Sequence, residues 1–185
     1  MEGIGPLEKL IHKRRSIRKY QDRPVERETI LRCIEAARLG PSAENVQPWR
    51  FIILDEPQLR LRVAKKAFSG IYLTTRWAAK APVLIVILAK LDIIANKIGA
   101  HLQNCQFYLL DIGAAVQQMA LQAQELGLGT CWLGWFNGKK VRRELKIPDM
   151  YRVVAMMSMG HIERQPRHEK PRRSMEEIAW FNECR

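Results

Sequence analysis

The sequence predicts an α+β domain in which helices cover both faces of a sheet. Three observations carry this. Pro82-Val83-Leu84-Ile85-Val86-Ile87-Leu88 is an uninterrupted apolar run, the pattern of a central strand buried on both sides. Ile112, Val116, Met119, Ala123 and Leu126 recur at spacings of 4, 3, 4 and 3, an α-helical stripe. Residues 50–54 and 151–160 supply further strand-like segments, set apart from these by helical and loop-like sequence.

Residues 6–13 read as a short helix with Leu7, Leu10 and Ile11 on one face, and the chain leaves it through Arg14-Arg15-Ser16-Ile17-Arg18. Asp22-Arg23-Pro24 marks the start of a second helix, with Pro24 in its first turn. Ile30, Leu31, Ile34 and Ala37 follow at helical spacing, Glu28 and Arg32 make an i,i+4 pair on the wet side, and Gly40-Pro41 stops the helix. Residues 57–67 are a basic amphipathic helix with Leu59, Val63 and Ala67 apolar. Residues 68–80 are irregular, with Gly70, Tyr72 and Trp77, and 91–101 read as an exposed connection.

The long helix runs from Asn104 or Cys105 to Leu126. Glutamines 117, 118, 122 and 124 stand where charges are usual, which predicts burial on more than one side. Residues 139–145 form a short helix ended before Pro148, residues 151–160 a final strand, and 161–173 a polar, basic tail that runs over a surface. Ser174 and Glu177 make a capping-box pattern for a last short helix. Its Ile178, Trp180 and Phe181 are too apolar to stand free, and dock on a partner subunit or on the same one.

The 185 residues fit one domain with a sizeable core. The longest uncharged apolar run, residues 81–89, is far short of a bilayer span, and the N-terminus lacks the charged-then-apolar design of a signal peptide. Both point to a cytoplasmic protein. Cys33, Cys105, Cys131 and Cys184 include no C-x-x-C, and the four histidines show no ligand spacing, which argues for reduced thiols and no bound metal. The net charge of +12 is spread over 14–18, 60–66, 139–143 and 164–173 without interleaved aromatics. That pattern fits solubility or attraction for anionic small molecules and argues against nucleic acid as a partner, while the short apolar run argues against a membrane.

Three guanidinium groups and a hydroxyl within five residues, Arg14 to Arg18, offer donors that match phosphate oxygens, although a basic run is usually a solvated face. Pro41-Ser42-Ala43-Glu44-Asn45-Val46-Gln47-Pro48-Trp49 is a stiff, polar loop able to read the edge of a planar heterocycle; its proline and asparagine equally suit an ordinary loop. Leu126-Gly127-Leu128-Gly129-Thr130-Cys131-Trp132 carries a G-x-G that closes a helix instead of opening one, so it is not a dinucleotide fingerprint. Ser158 lacks the G-x-S-x-G context of a nucleophile elbow, because Met156 stands where glycine is needed.

R-R-S-I-R, the P-S-A-E-N-V-Q-P-W loop, G-L-G-T-C-W-L-G and a C-terminal Lys170-Pro171-Arg172 occur in order along nearly the whole chain. Together they resemble the FMN-dependent nitroreductase family. The resemblance implies a three-layer α/β/α, nitroreductase-like fold with a mixed central sheet, as one domain over 1–185. It also implies an intertwined homodimer in which the extension from about residue 161 wraps the partner, with the long helix in the dimer core.

The implied cofactor is FMN, tightly bound and non-covalent, with NAD(P)H as donor. Arg14, Ser16, Lys170 and Arg172 would hold its phosphate, Arg18 would lie nearer the N1/O2 edge of the ring, and Arg15 belongs to the cluster without a separate role. The backbone of Leu133 and Gly134 would pass N5, a glycine allowing close approach to a flat ligand. Pro41, Ser42, Ala43 and Asn45 would approach from the other subunit. No side chain is assigned as catalytic, because the flavin carries the chemistry.

The implied reaction is ping-pong hydride transfer to an electron-poor acceptor: a nitroaromatic, quinone or enone. Alternatives are other flavin chemistry, such as reductive dehalogenation or flavin fragmentation, and a non-enzymatic basic binding module. The family's mid-chain ring contacts have no match in 68–80.

Overall fold

The computed structural model describes residues 3–91, 105–165 and 171–184. Most of the stretch 91–101 therefore lies outside the described residues, as does Lys170. In chain order the elements are α1 (Pro6–Lys13), α2 (Arg27–Arg38), a 3₁₀ turn (Ala43–Asn45), β1 (Trp49–Leu54), α3 (Pro57–Ala67) and a 3₁₀ segment (Gly70–Lys80). There follow β2 (Val83–Lys90), α4 (Phe107–Glu125), β3 (Leu128–Leu133), α5 (Gly138–Glu144), β4 (Tyr151–His161) and α6 (Met175–Ile178).

The four strands form one sheet in the order β1-β2-β4-β3. Every pairing within it is antiparallel, with Ile85 opposite both Ile53 and Met157. The expected mixed character reduces to one parallel bridge, Ser16 to Thr130, at the outer edge of β3. β2 is buried from Val83 to Ala89, as its continuous apolar sequence requires.

Period-2 alternation divides the sheet's side chains between two cores. On one face Ile85, Ile87 and Met157 meet Ile30, Cys33 and Ala37 of α2 and Ile112, Val116 and Met119 of α4. On the other, Leu84, Val86 and Met156 meet Val63 and Ala67 of α3 and Val141 of α5. The result is three layers.

Local chemistry sets the helix ends. The Glu56 carboxylate accepts from Gln58 N and Leu59 N to start α3, and Asn137 Oδ1 accepts from Lys140 N to start α5. The Ser174–Glu177 capping box forms as the sequence predicts.

Two readings of α2 need correction. It begins at Arg27, not at Pro24, because Val25 is drawn into the core on an extended lead-in. Leu31 points outward and Cys33 takes its place in the stripe. The Glu28–Arg32 pair does not form; Arg38 pairs with Glu35 at 2.6 Å, and Arg27 pairs with Asp55.

α4 packs on α2, on α1 and on the sheet, so it is covered on more than one side, as its glutamines suggest. The C-terminal segment is different. Ile178, Trp180 and Phe181 remain exposed, Phe181 by 90%, so they do not dock on their own protomer.

Candidate functional site

Arg14 closes α1: its amide donates to Leu10 O at 2.9 Å while its own backbone is already extended. Extension carries the chain onto the free edge of β3, where Ile17 N donates to Thr130 O at 2.9 Å. Alternation then fixes the side chains. Ile17 is buried against Gly129, whereas Arg14, Arg15 and Ser16 are half-buried and Arg18 is exposed.

Tyr20 pins the far end. Its hydroxyl donates to Ile17 O at 2.7 Å and lies 2.8 Å from Ser158 Oγ; burial pushes its phenol above the ordinary tyrosine range. Ser158 is thus a buried structural partner. The side chains of Arg14 and Ser16 form no ion pair or hydrogen bond among the described residues.

β3 ends at Leu133, which is buried. A side chain on the next residue, Gly134, would meet nothing within 4 Å. Trp132 and Trp135 are exposed by 39% and 52%, so they are not core aromatics.

Residues 70–80, irregular in sequence pattern, form the 3₁₀ segment that completes this corner. Trp135 Nε1 donates to Ile71 O at 3.0 Å, Thr75 Oγ1 donates to Trp135 O at 2.7 Å, and the Tyr72 and Trp135 rings lie 5.2 Å apart. Further along the same segment, Trp77 carries Arg18 over its ring at 5.7 Å from the centroid. One 3₁₀ segment therefore touches both the Gly134 corner and the arginine cluster. Arg18, Lys19, Arg76, Trp77 and Lys80 line a cleft of ≈ 720 Å³, with Glu163 as the acidic member of its wall. Its field favours anions.

The loop before β1 is tied to itself and to α4. Ser42 Oγ accepts from Gln47 N at 3.0 Å, Gln47 Nε2 donates to Asn45 Oδ1 at 3.0 Å, and Ala43 N donates to Asp111 Oδ1 at 3.2 Å. Glu44, Asn45 and Gln47 have φ of 49°, 54° and 46°, unfavourable for side chains with a Cβ. Pro41, Ala43 and Asn45 are exposed and Ser42 is half-buried.

β1 and β3 are opposite edges of the sheet, three strand spacings or about 14 Å apart. The structure therefore gathers Arg14, Ser16, Arg18, Leu133 and Gly134 along the β3 edge. Pro41, Ser42, Ala43 and Asn45 lie at the β1 edge of the same protomer. Arg172 is exposed; it donates to its neighbour Pro171 O at 3.2 Å and makes no bond to the cluster.

The model of the Nitroreductase family matches residues 11–161, from the arginine cluster to the end of β4. This chain belongs to the nitroreductase family. A protein of Archaeoglobus fulgidus that carries the name of an NADH dehydrogenase/NAD(P)H nitroreductase by assignment only is 32% identical over 88% of this chain and 86% of its own. A 5,6-dimethylbenzimidazole synthase of Rhodospirillum rubrum is 26% identical over 94% and 88%. Among solved structures, a nitroreductase family protein of Clostridium difficile 630 superimposes with a TM-score of 0.80 at 31% identity, covering 95% of this chain and 98% of that one. An FMN-dependent nitroreductase of C. difficile R20291 does so with 0.76 at 29%, over 95% and 98%.

This nitroreductase-family chain presents no group of three or more metal-ligating side chains, and no helix long and apolar enough to cross a membrane, among its described residues. Its cations suit FMN. Among the described residues Arg14 and Ser16 stand without an internal anion, beside a strand whose end has room at Gly134.

Proposed function

We propose that this chain is an FMN-dependent oxidoreductase that passes a hydride from NAD(P)H to an electron-poor acceptor, a nitroaromatic, quinone or enone, in ping-pong order. When bound, FMN supplies the redox chemistry at its N5. The observation that supports the reading is that Arg14 and Ser16, set along β3 by the Ser16–Thr130 bridge, have no side-chain partner among the described residues, in a chain of the nitroreductase family. These two, with Lys170 and Arg172, bind the phosphate. Arg18 would supply a positive charge to the N1/O2 edge of the ring, and the main chain of Leu133 and Gly134 would lie nearest its N5 edge.

Pro41, Ser42, Ala43 and Asn45 come from a second copy, because within one protomer they stand at the opposite sheet edge. Family members are typically dimeric, and the exposed Ile178, Trp180 and Phe181 supply apolar surface for such a partner. No disulfide forms among the described cysteines, which suits a cytoplasmic setting.

The test is the visible spectrum of the purified protein before and after NADH or NADPH is added without oxygen. A yellow protein bleached by either nicotinamide is expected. A colourless protein that takes up no FMN overturns the reading. A yellow protein that neither donor bleaches leaves FMN in place and favours the second reading, flavin chemistry of another kind, which the relative named for 5,6-dimethylbenzimidazole synthesis brings into view.

A further inference from the structure

Asp111 is the one charged side chain between Cys105 and Gln124, and it faces inward from α4, 8% exposed. Its Oδ1 accepts from Ala43 N at 3.2 Å, while its Oδ2 is buried without a hydrogen-bond partner among the described residues. A carboxyl removed from water for a single hydrogen bond destabilises a fold where an apolar side chain would pack better. Burial accordingly lifts its proton affinity above that of an ordinary aspartate, and the Ala43 amide opposes the shift.

What it grips is the densest run of left-handed backbone among the described residues: three residues with side chains at positive φ within residues 44–47. Such strain persists only where the surroundings over-determine it, and it gathers where a ligand is clamped. The other side-chain tethers are local: Ser42 to Gln47, Asn45 to Gln47, and Arg50 Nη1 to Gln47 O at 3.0 Å. Among the described residues Asp111 alone reaches this turn with a side chain from a distant element.

We infer that Asp111 is a positioning residue for the flavin-reading turn Ser42–Ala43–Glu44–Asn45, acting through its hydrogen bond to the Ala43 amide. The inference rests on the FMN reading for what the turn presents; the tether itself does not depend on it. An acceptor oxygen is the chemical requirement, so an amide can replace the carboxylate and an alkyl group cannot. Ala43→Pro removes the donor instead, and Ser42 is already extended (φ −146°, ψ 152°), as a residue before proline must be.

The experiment measures FMN affinity, the flavin visible spectrum, dimer mass and amide hydrogen exchange at residues 44–47. It compares the wild type with Asp111→Leu, Asp111→Asn and Ala43→Pro. Asp111→Leu and Ala43→Pro are expected to weaken FMN binding about tenfold, the scale of one lost hydrogen bond plus an orphaned partner, and to speed exchange. Asp111→Asn is expected to rescue both to within about threefold of wild type. Unchanged affinity and exchange in Asp111→Leu overturns the inference, and so does an Asp111→Asn variant as impaired as Asp111→Leu. If Asp111→Leu does not fold, Ala43→Pro decides alone. If the wild type binds no FMN, the proposed function fails separately, and the exchange comparison still decides the tether.

Discussion

Ile17 lies directly over Gly129: a Cβ built on the glycine would stand 2.6 Å from Ile17 Cγ1 and 2.9 Å from Ile162 Cγ1. The strand can accept the arginine cluster along its edge because this residue has no side chain. Gly129→Ala is expected to cost about 1–3 kcal/mol, the usual range for overpacking, measured by urea unfolding. It should also weaken FMN retention, since the displaced Ile17 sits between Ser16 and Arg18. A variant with wild-type stability and flavin content would show that the contact is slack.

Tyr20 gives an alkaline signature. Burial raises its phenol above the ordinary value, so the folded state holds the proton while the unfolded chain releases it near pH 10. Stability is full below that pH and is lost as pH climbs above it. Tyr20→Phe should flatten this part of the stability–pH curve. At neutral pH the same variant should cost about 1–3 kcal/mol, because the fully buried Ser158 Oγ keeps only a 3.4 Å contact to Cys131 O. Thermal unfolding from pH 7 to 11 reads both effects.

Arg14→Ala combined with Arg172→Ala should yield mostly apo protein of unchanged dimer mass. A charge-assisted hydrogen bond to phosphate contributes about 1.5–3 kcal/mol, so two losses lower affinity on the order of a hundredfold or more. Stoichiometric flavin in the double variant, read from the absorbance ratio, would place the phosphate elsewhere.

Asp111 gives an acid-side counterpart. Its carboxyl is raised, so the folded state favours the protonated form. Its contribution is fully present below the ordinary aspartate value near pH 4 and is lost as pH rises through the folded value. Asp111→Asn should therefore match the wild type near pH 4 and exceed it in melting temperature at pH 7. Equal melting temperatures at both pH values would contradict the buried placement.

Trp180→Ala with Phe181→Ala should shift the protein toward monomer in sedimentation at low concentration, and leave far-ultraviolet circular dichroism unchanged. Both side chains project from the protomer, so their removal takes away contact surface without opening its core. A dimer as tight as the wild type would assign the interface to other surfaces.

The elements legible in the sequence are those whose apolar side chains keep one spacing from end to end. β2 is covered on both sides and reads as unbroken apolar sequence; α4 has one dominant core stripe and reads by its period. Residues 70–80 were opaque because a 3₁₀ segment has no apolar period as distinctive as 3.6 or 2, and its role lies in carbonyls such as Ile71 O that no side chain reveals. Asp111 left a usable signal, a solitary charge in an uncharged helix next to Ile112 of the core stripe. The arginine cluster was visible as chemistry, but its seat was not: that depends on the absence of a Cβ at Gly129, more than a hundred residues away.

β3 is an outer strand, and among the described residues its free edge is covered by the Ser16 bridge and the Ile17 amide. The short run proposed to offer cations to a phosphate is therefore also the guard on an open strand edge. If the run lifts away, the amides and carbonyls of Leu128–Leu133 become a template for pairing with another chain. Protein stripped of its anion would then be lost to aggregation before it unfolds, and light scattering of apo samples would report this earlier than any activity assay.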